Sequence, residues 1–163
     1  LDQLAEVMAE KIKDSNISFD IIFDPAYKGI FLGSVLATKL NKPVCFNRKE
    51  EKDHGEGGSL IGAKPEGRVL IVDDVISSGL AIREALEILK PYDVEIAGVL
   101  VTLDRQEKGQ KSDLMASAEL KSEGIDVFEI ISLDGLLDAG NIISEDDIAR
   151  IKDYREQFRG KDA

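Results

Sequence analysis

The sequence is poor in cysteine, in long apolar runs and in positive charge. Its 163 residues include one cysteine, which excludes a disulfide within the chain. The longest apolar runs are a few residues long, far below the ~20 that a transmembrane helix needs. No charged and then apolar leader opens the chain, so we expect a cytoplasmic protein without a membrane partner.

Positive charge is scarce. The chain has 21 Lys and Arg against 32 Asp and Glu, which gives a formal net charge of −11. Nucleic acids and anionic membranes attract basic surfaces, so this composition argues against both as partners. A local group of cations is informative in such a chain, because the overall composition does not supply it.

The remaining composition is that of a globular domain. Apolar residues make up 43% of the chain and charged residues 33%, a balance that argues against disorder. The length suits one hydrophobic core, and no repeat or linker divides it, so residues 1–163 are predicted to form a single domain. Cys45 lies in a strand-like run between Val44 and Phe46 and is predicted to be buried and unreactive.

Short apolar segments alternate with amphipathic ones along the chain. Helices are predicted over residues 1–14, 29–40, 80–90, 114–121 and 144–158, with Ser144 as the N-cap of the last. Strands are predicted over residues 19–23, 43–46, 68–74, 94–103 and 125–131. This alternation predicts an α/β fold, a doubly wound and mainly parallel sheet flanked by helices. Ligands of such sheets bind at the carboxyl ends of the strands.

The strongest functional signal follows the apolar residues 69–72. Asp73 and Asp74 come next, and a Ser-Ser-Gly turn over residues 77–79 then leads into a helix. The exposed N–H groups of a helix start bind anions, and Gly79 allows the backbone to approach a phosphate. The two carboxylates would repel that phosphate, so we expect them to accept hydrogen bonds from a sugar diol. The alternative is that they only mark the end of the strand.

The second signal is a basic, glycine-rich segment at residues 47–58. It holds three cations and the only histidine of the chain: Arg48, Lys49, Lys52 and His54. A mobile basic loop can close over a diphosphate and stabilise negative charge as it leaves. The alternative is a solvated loop in which neighbouring acidic residues balance the cations.

Two further polar segments follow predicted strands. Residues 24–29 form a tight turn into a helix, and residues 103–107 contain Arg105, whose guanidinium can bind a planar carboxylate through two hydrogen bonds. The alternatives are ordinary turn chemistry for the first and an ion pair of Arg105 with Asp104 or Glu107 for the second. All four segments lie at carboxyl ends of predicted parallel strands, so we expect them to converge.

Together the four segments resemble the orotate phosphoribosyltransferases, within the type I phosphoribosyltransferase group. The aspartate pair and its turn mark the wider group, and the run Lys-Asp-His-Gly-Glu-Gly-Gly at residues 52–58 is more specific to the orotate enzymes. The resemblance implies transfer of the 5-phosphoribosyl group from 5-phosphoribosyl 1-diphosphate (PRPP) to orotate. The products are orotidine 5′-monophosphate and diphosphate, in pyrimidine biosynthesis. Mg²⁺ is implied as cofactor, bound mainly through the substrate.

The resemblance also implies the site residues. The catalytic ones are Asp73 and Asp74 at the ribose hydroxyls, with Lys52 and His54 on a lid. The other substrate-binding residues are Tyr27 and Lys28 at the diphosphate, Arg48 and Lys49 on the lid, and the phosphate loop of Val75, Ile76, Ser77, Ser78, Gly79, Leu80 and Ala81. Ser77 and Arg105 are implied to contact orotate. In this family the lid reaches the partner subunit's site, so a homodimer with shared active sites is expected.

The chain departs from the family pattern in three ways. Family members carry an N-terminal segment that clamps the base; this chain begins at Leu1, so we expect either a fragment or an incomplete base site. Ser77 replaces a usual threonine and keeps its hydroxyl, whereas Leu80 removes a phosphate donor, at a cost of ~1 kcal/mol. Asp24 stands where glycine is usual, and is expected either to weaken diphosphate binding or to point away.

Two alternative functions remain at this point. One is a non-catalytic protein of the same fold that senses PRPP, and the other is a phosphoribosyltransferase for a different base. A sensor needs the phosphate loop but not the lid, so Lys52 and His54 favour the enzyme. Arg105 favours a carboxylated base.

Overall fold

A computed structural model describes residues 1–48, 60–139 and 143–163. Its helices are α1 (Asp2–Asp14), α2 (Ile30–Leu40), α3 (Leu80–Leu89), α4 (Ala116–Ser122), α5 (Leu133–Asp138) and α6 (Glu145–Phe158). Its strands are β1 (Ile21–Asp24), β2 (Val44–Asn47), β3 (Leu60–Gly62), β4 (Gly67–Ile76), β5 (Val94–Asp104) and β6 (Val127–Ser132).

The strands form one sheet in the order β3-β2-β1-β4-β5-β6. Neighbouring strands are parallel except at the edge, where β2 and β3 are antiparallel. From β1 the chain adds β2 and β3 toward one edge of the sheet, and from β4 it adds β5 and β6 toward the other. The direction in which strands are added therefore reverses between the adjacent strands β1 and β4. A crevice opens at the carboxyl ends of the strands where such a reversal occurs. The predicted doubly wound fold is confirmed.

The central strand β4 is longer than predicted. The apolar residues 69–72 are completely buried, as expected of a strand covered on both faces. The predicted end at Asp74 is wrong, because pairing with β5 continues until Ile76 lies opposite Asp104. Asp73 and Asp74 therefore belong to the strand itself, and its hydrogen bonds fix their backbone.

Helices cover both faces of the sheet. Val69 and Ile71 of β4 pack with α3 and α4 on one face, and Leu70 and Val72 pack with α1 and α2 on the other. Each of these side chains is fully buried, which stabilises the fold by roughly 1.5–3 kcal/mol per residue relative to exposure. The strand ends that carry the candidate site are thus fixed from both sides.

Two short elements were not predicted. β3 has only three residues and pairs antiparallel with β2 at the edge, too short a segment to show periodicity. α5 follows β6 directly, and the Ser132 hydroxyl caps it by accepting a hydrogen bond from Gly135 N at 3.1 Å. The predicted cap of α6 is confirmed, since Ser144 Oγ accepts from Asp147 N at 3.2 Å.

The C-terminal residues return to the sheet edge. Gly160 N donates to the Gln106 carbonyl at 2.9 Å, and Glu107 pairs with Arg159 in an antiparallel bridge. The end of α6 is thereby attached to the segment that follows β5. No helix in the described part of the chain has the length and apolar character needed to cross a membrane.

Cys45 is fully buried in β2. Burial, with a further contribution from Asp24, raises the pKa of its thiol to about 12. The thiol therefore stays protonated at neutral pH. The prediction that Cys45 is buried is confirmed, and its lack of reactivity stays a prediction.

Candidate active site

The described parts of the four predicted segments meet at the carboxyl edge of the sheet. The turn after β1 contacts the end of β2, where Ala26 N donates to Asn47 Oδ1 at 2.8 Å. The residue after β5 contacts the end of β4, where Arg105 N donates to the Ile76 carbonyl at 3.0 Å. The predicted convergence is confirmed for these residues.

The acidic pair is held by its own backbone. Asp74 N donates to Asp73 Oδ1 at 2.9 Å, and Val75 N donates to Asp74 Oδ1 at the same distance. The Thr102 hydroxyl of the neighbouring strand β5 donates to the Asp74 carbonyl. Asp73 is buried and Asp74 is half-buried, so the pair presents fixed acceptors at the floor of the crevice.

Burial has a strong effect on Asp73. It raises the pKa of this carboxyl to about 7, and the neighbouring Asp74 carboxylate adds to the rise, whereas the Asp74 N–H and the Lys28 charge oppose it. The carboxyl therefore changes its charge near neutral pH. Hydroxyl donors, such as those of a ribose, would favour its ionised form.

The turn after β1 lies against this acidic pair. Lys28 is close enough to lower the pKa of Asp73. A Cβ atom at Gly29 would lie 2.8 Å from Asp73 Oδ1, so the close approach of this turn to Asp73 requires a glycine. The Ala26–Tyr27 peptide bond is cis. The structure thus brings the predicted diphosphate residues beside the predicted ribose residues.

The predicted phosphate loop leads into α3 through Gly79. Gly79 adopts a φ of +78° at the N-cap of α3, and a Cβ atom there would lie 3.2 Å from Ala116 Cβ. Within the described residues, no side chain is hydrogen-bonded as a cap at the start of α3. The loop lines an open pocket of about 370 Å³, with Leu80 half exposed and Glu84 at its border. The start of a helix favours an anion at such a place, so phosphate binding there remains a prediction.

The structure describes only the start of the predicted lid. Arg48 follows β2 at the same sheet edge and is half-buried. Lys49, Lys52 and His54 lie outside the described residues, and their roles remain predictions.

Arg105 makes the ion pair given above as the alternative. Its Nε lies 2.8 Å from Glu107 Oε1. Its Nη2 donates to the Tyr154 hydroxyl, and its Cζ lies 4.7 Å from the centre of the Tyr154 ring. These contacts leave some donors of the guanidinium unused, because Nη1 has no hydrogen-bond partner among the described residues. Contact of Arg105 with a base remains a prediction.

Asp24 points into the protein interior. It is fully buried, and a Cβ atom at Gly33 of α2 would lie 1.8 Å from its Oδ1. Neither carboxyl oxygen has a hydrogen-bond partner within the described ranges. Burial, aided by Asp73, raises the pKa of Asp24 to about 9, so this side chain is neutral at pH 7. It adds no negative charge to the diphosphate turn.

Three residues that shape the site were not predicted. Asn47 and Thr102 hold the turn after β1 and the acidic pair, and Gln110 Nε2 lies 3.4 Å from the Ser78 carbonyl of the phosphate loop. Asn47 lies inside the basic segment and at the end of a predicted strand, and this position is a sequence signal that could have identified it as a site residue. Thr102 and Gln110 act through partners distant in sequence, and no local pattern marks them.

Comparison with known proteins identifies the family. Residues 1–132 match the model of the phosphoribosyl transferase domain. The chain belongs to this family.

Relatives of this phosphoribosyltransferase chain at 33–48% identity include orotate phosphoribosyltransferases. The orotate phosphoribosyltransferase of Actinobacillus pleuropneumoniae serotype 5b is 45% identical over 97% of this chain and 78% of its own length. That of Laribacter hongkongensis is 48% identical over 95% of this chain and 76% of its own. The crystal structure of the Francisella tularensis orotate phosphoribosyltransferase superposes with a TM-score of 0.75 at 33% identity, covering 97% of this chain and 79% of that one. The predicted resemblance is confirmed.

Proposed function

We propose that this chain transfers the 5-phosphoribosyl group of PRPP to orotate. The bond from C1′ to the diphosphate oxygen breaks, a bond from C1′ to an orotate nitrogen forms, and that nitrogen loses its proton. The acidic pair beside a phosphate loop carries this proposal, and the 45% identity to an orotate phosphoribosyltransferase supports it.

The ribose and its 5′-phosphate are assigned to β4 and the loop after it. Asp73 and Asp74 accept hydrogen bonds from the ribose hydroxyls and do not face the phosphate, which they would repel. The 5′-phosphate binds at the start of α3, through the backbone and hydroxyls of residues 77–81. Val75 and Ile76 line the same pocket.

The leaving diphosphate is assigned to the turn after β1 and to the lid. Tyr27 and Lys28 face it from the turn, and Arg48 and Lys49 from the lid. Breaking the C1′ bond places positive charge on the ribose and negative charge on the diphosphate, which Lys52 and His54 stabilise. Closure of the lid also excludes water from the cationic sugar.

Mg²⁺ fits this arrangement as a cofactor. Carboxylate and phosphate oxygens are its preferred ligands, and it usually binds proteins through few side chains and several substrate oxygens. Among the residues that the structure describes, no group of three or more His, Cys, Asp or Glu side chains could hold a metal ion. We infer that the ion is bound mainly by the diphosphate and ribose of PRPP, and when bound it neutralises the leaving charge.

The base is assigned to the end of β5. Arg105 binds the orotate carboxylate, and Ser77 contacts the ring from the phosphate loop. The test is an assay of purified protein with PRPP, Mg²⁺ and either orotate, uracil or adenine, followed by chromatography. Orotidine 5′-monophosphate should form with orotate alone. Binding of PRPP without transfer to any base would instead support a sensor, and transfer to adenine would assign a different base.

The shared site of a homodimer is the remaining part of the proposal. If Lys52 completes the partner's site, Lys52→Ala and Asp74→Asn are each nearly inactive, and their refolded mixture regains activity. Random pairing makes about half of the dimers hybrids, each with one intact site, so roughly a quarter of all sites recover. No recovery, with hybrids confirmed by native mass spectrometry, contradicts the shared site.

The domain and location also belong to this proposal. Residues 1–163 act as one catalytic domain, supported by the single sheet with helices packed on both of its faces. We place the enzyme in the cytoplasm, where its small-molecule substrates would reach it.

A further inference from the structure

We propose that Tyr154 and Glu107 are positioning residues that fix which edge of the Arg105 guanidinium faces the base. The C-terminal helix α6 would thereby take part in selecting a carboxylated substrate. This inference rests on the proposed function, because it acts through the contact between Arg105 and orotate.

The three side chains are joined by one ion pair and two hydrogen bonds. Glu107 Oε1 lies 2.8 Å from Arg105 Nε and accepts a hydrogen bond from the Tyr154 hydroxyl. That hydroxyl in turn accepts from Arg105 Nη2, and the guanidinium lies over the tyrosine ring with 4.7 Å from Cζ to the ring centre. Each member is bound to both others, so none can rotate without breaking two contacts.

These contacts use one edge of the guanidinium and leave another. Arginine has five N–H donors in a planar fork, and its Nε and Nη2 form one edge. Glu107 and Tyr154 occupy that edge. The remaining donors lie on Nη1 and the outer side of Nη2, and Nη1 has no partner in the described part of the chain. Two parallel donors of this kind match the two oxygens of a carboxylate.

The backbone around Arg105 is fixed as well. Arg105 N donates to the Ile76 carbonyl at 3.0 Å, directly before the phosphate loop. Glu107 pairs with Arg159 beyond the end of α6. One turn after Tyr154, the Phe158 ring packs against it with 4.6 Å between centres. The free edge of Arg105 is therefore held at a fixed place relative to the loop that binds the 5′-phosphate.

The first test is Tyr154→Phe, which keeps the ring, its contact with the guanidinium and its packing on Phe158. It removes only the hydroxyl that orients Arg105, so the KM for orotate should rise about fivefold, the effect of one hydrogen bond. The KM for PRPP and kcat should stay within about twofold, because the ribose site does not change. Glu107→Gln should act in the same direction. The matched control is Tyr92→Phe, at the distant turn between α3 and β5, which should change none of these values.

A double-mutant cycle separates positioning from packing. If Tyr154 acts through Arg105, Tyr154→Phe should have no further effect on the orotate KM in an Arg105→Ala background. A fivefold effect that persists in that background, or equal rises in both KM values, would overturn the inference. Thermal melting of each variant shows whether it is folded. If Glu107→Gln does not fold, the result for Tyr154→Phe alone tests the inference.

The cycle also distinguishes this inference from the proposed function. An unchanged orotate KM in Arg105→Ala would contradict the base contact itself. A large rise in Arg105→Ala with no change in Tyr154→Phe would contradict only the positioning role.

Discussion

Glu119 and Asp24 are both buried carboxyl groups, one on α4 and the other at the end of β1, yet their surroundings are opposite. Glu119 accepts hydrogen bonds from four donors: Ser112 Oγ, Arg83 Nη2 and the N–H groups of Gln110 and Lys111. Burial alone would raise its pKa, but these donors lower the pKa of Glu119 to about 2. Asp24 has no donor within the described ranges, and its pKa rises to about 9.

The difference shows how this fold uses acidic residues. Away from the sheet edge, a buried carboxylate is ionised and connects a loop to a helix. At the carboxyl end of β1, Asp24 lacks a donor in the described part of the chain and depends on a proton to satisfy it. Asp73 lies between the two cases, because a backbone N–H satisfies it only in part. The candidate site is therefore where the fold leaves acceptors for a substrate.

Removing Glu119 should have the largest effect. Glu119→Ala removes one of the two carboxylate partners of the half-buried Arg83, leaving Glu123, and takes the acceptor from two backbone N–H groups. The free energy of unfolding should therefore fall by about 1–3 kcal/mol in urea titrations. The matched control is Glu10→Ala on the exposed surface of α1, which should change it by less than about 0.5 kcal/mol. A loss below about 1 kcal/mol would contradict the structural role of Glu119.

The pH dependence of the Glu119 contribution has a definite sign. The folded-state pKa is about 2 and the ordinary value is 4.5, so the stabilisation is complete above the ordinary pKa. It is lost as the pH falls toward the folded value. The stabilities of the natural protein and Glu119→Ala should therefore converge in acid.

Replacing Asp24 should change how the free energy of unfolding depends on pH. Its folded-state pKa is about 9 and the ordinary value is 3.8, so the folded protein keeps a proton that the unfolded chain releases. Stability should then fall as the pH rises between these values, by up to about 1.4 kcal/mol per pH unit. Asp24→Asn has nearly the same shape but does not titrate, so it should flatten the slope in urea titrations from about pH 5 to 8. Equal slopes in both proteins would show that Asp24 is ionised.

Asp73 should link substrate binding to pH. Burial raises its pKa to about 7, and the ionised form accepts stronger hydrogen bonds from the ribose hydroxyls than the protonated form does. The affinity for PRPP should therefore increase about fivefold as the pH rises through neutrality, the effect of about 1 kcal/mol. Asp73→Asn, titrated with the same ligand so that phosphate ionisation cancels, should show a weaker dependence. A parallel dependence in both proteins would assign the effect to another group.

Leu80→Thr should have the smallest effect. Leu80 is half exposed at the start of α3, so threonine fits there and adds a hydroxyl donor beside the phosphate pocket. Binding of ribose 5-phosphate should tighten by up to about 1 kcal/mol in calorimetry. Weaker binding would show that the hydroxyl does not face the phosphate.

Much of the site could be predicted because its signals are local. The apolar run of β4, the acidic pair and the Ser-Ser-Gly turn follow one another within residues 69–79. A buried strand, a set of hydrogen-bond acceptors and a tight turn into a helix each require these residue types. The alternation of strands and helices then places the ends of parallel strands at one edge. This is enough to predict that the turn near Lys28, the acidic pair and Arg105 lie close together.

The missing parts depend on contacts between distant residues. β4 continues past Asp74 because β5 pairs with it, which no periodicity in β4 reveals. Tyr154 contacts Arg105 from α6, and the burial of Asp24 depends on the packing of α2 at Gly33. Each of these follows from tertiary packing, which overrides local preference.

The acidic pair is the centre of this account, and calorimetric titration with PRPP and Mg²⁺ tests it most directly. Asp74→Asn should weaken binding by at least ~1 kcal/mol, the loss of one charge-assisted hydrogen bond to the ribose. Asp93→Asn, at an exposed position before β5, is the matched control and should bind like the natural protein. Unchanged affinity in both Asp73→Asn and Asp74→Asn would contradict the assignment of the ribose to this pair.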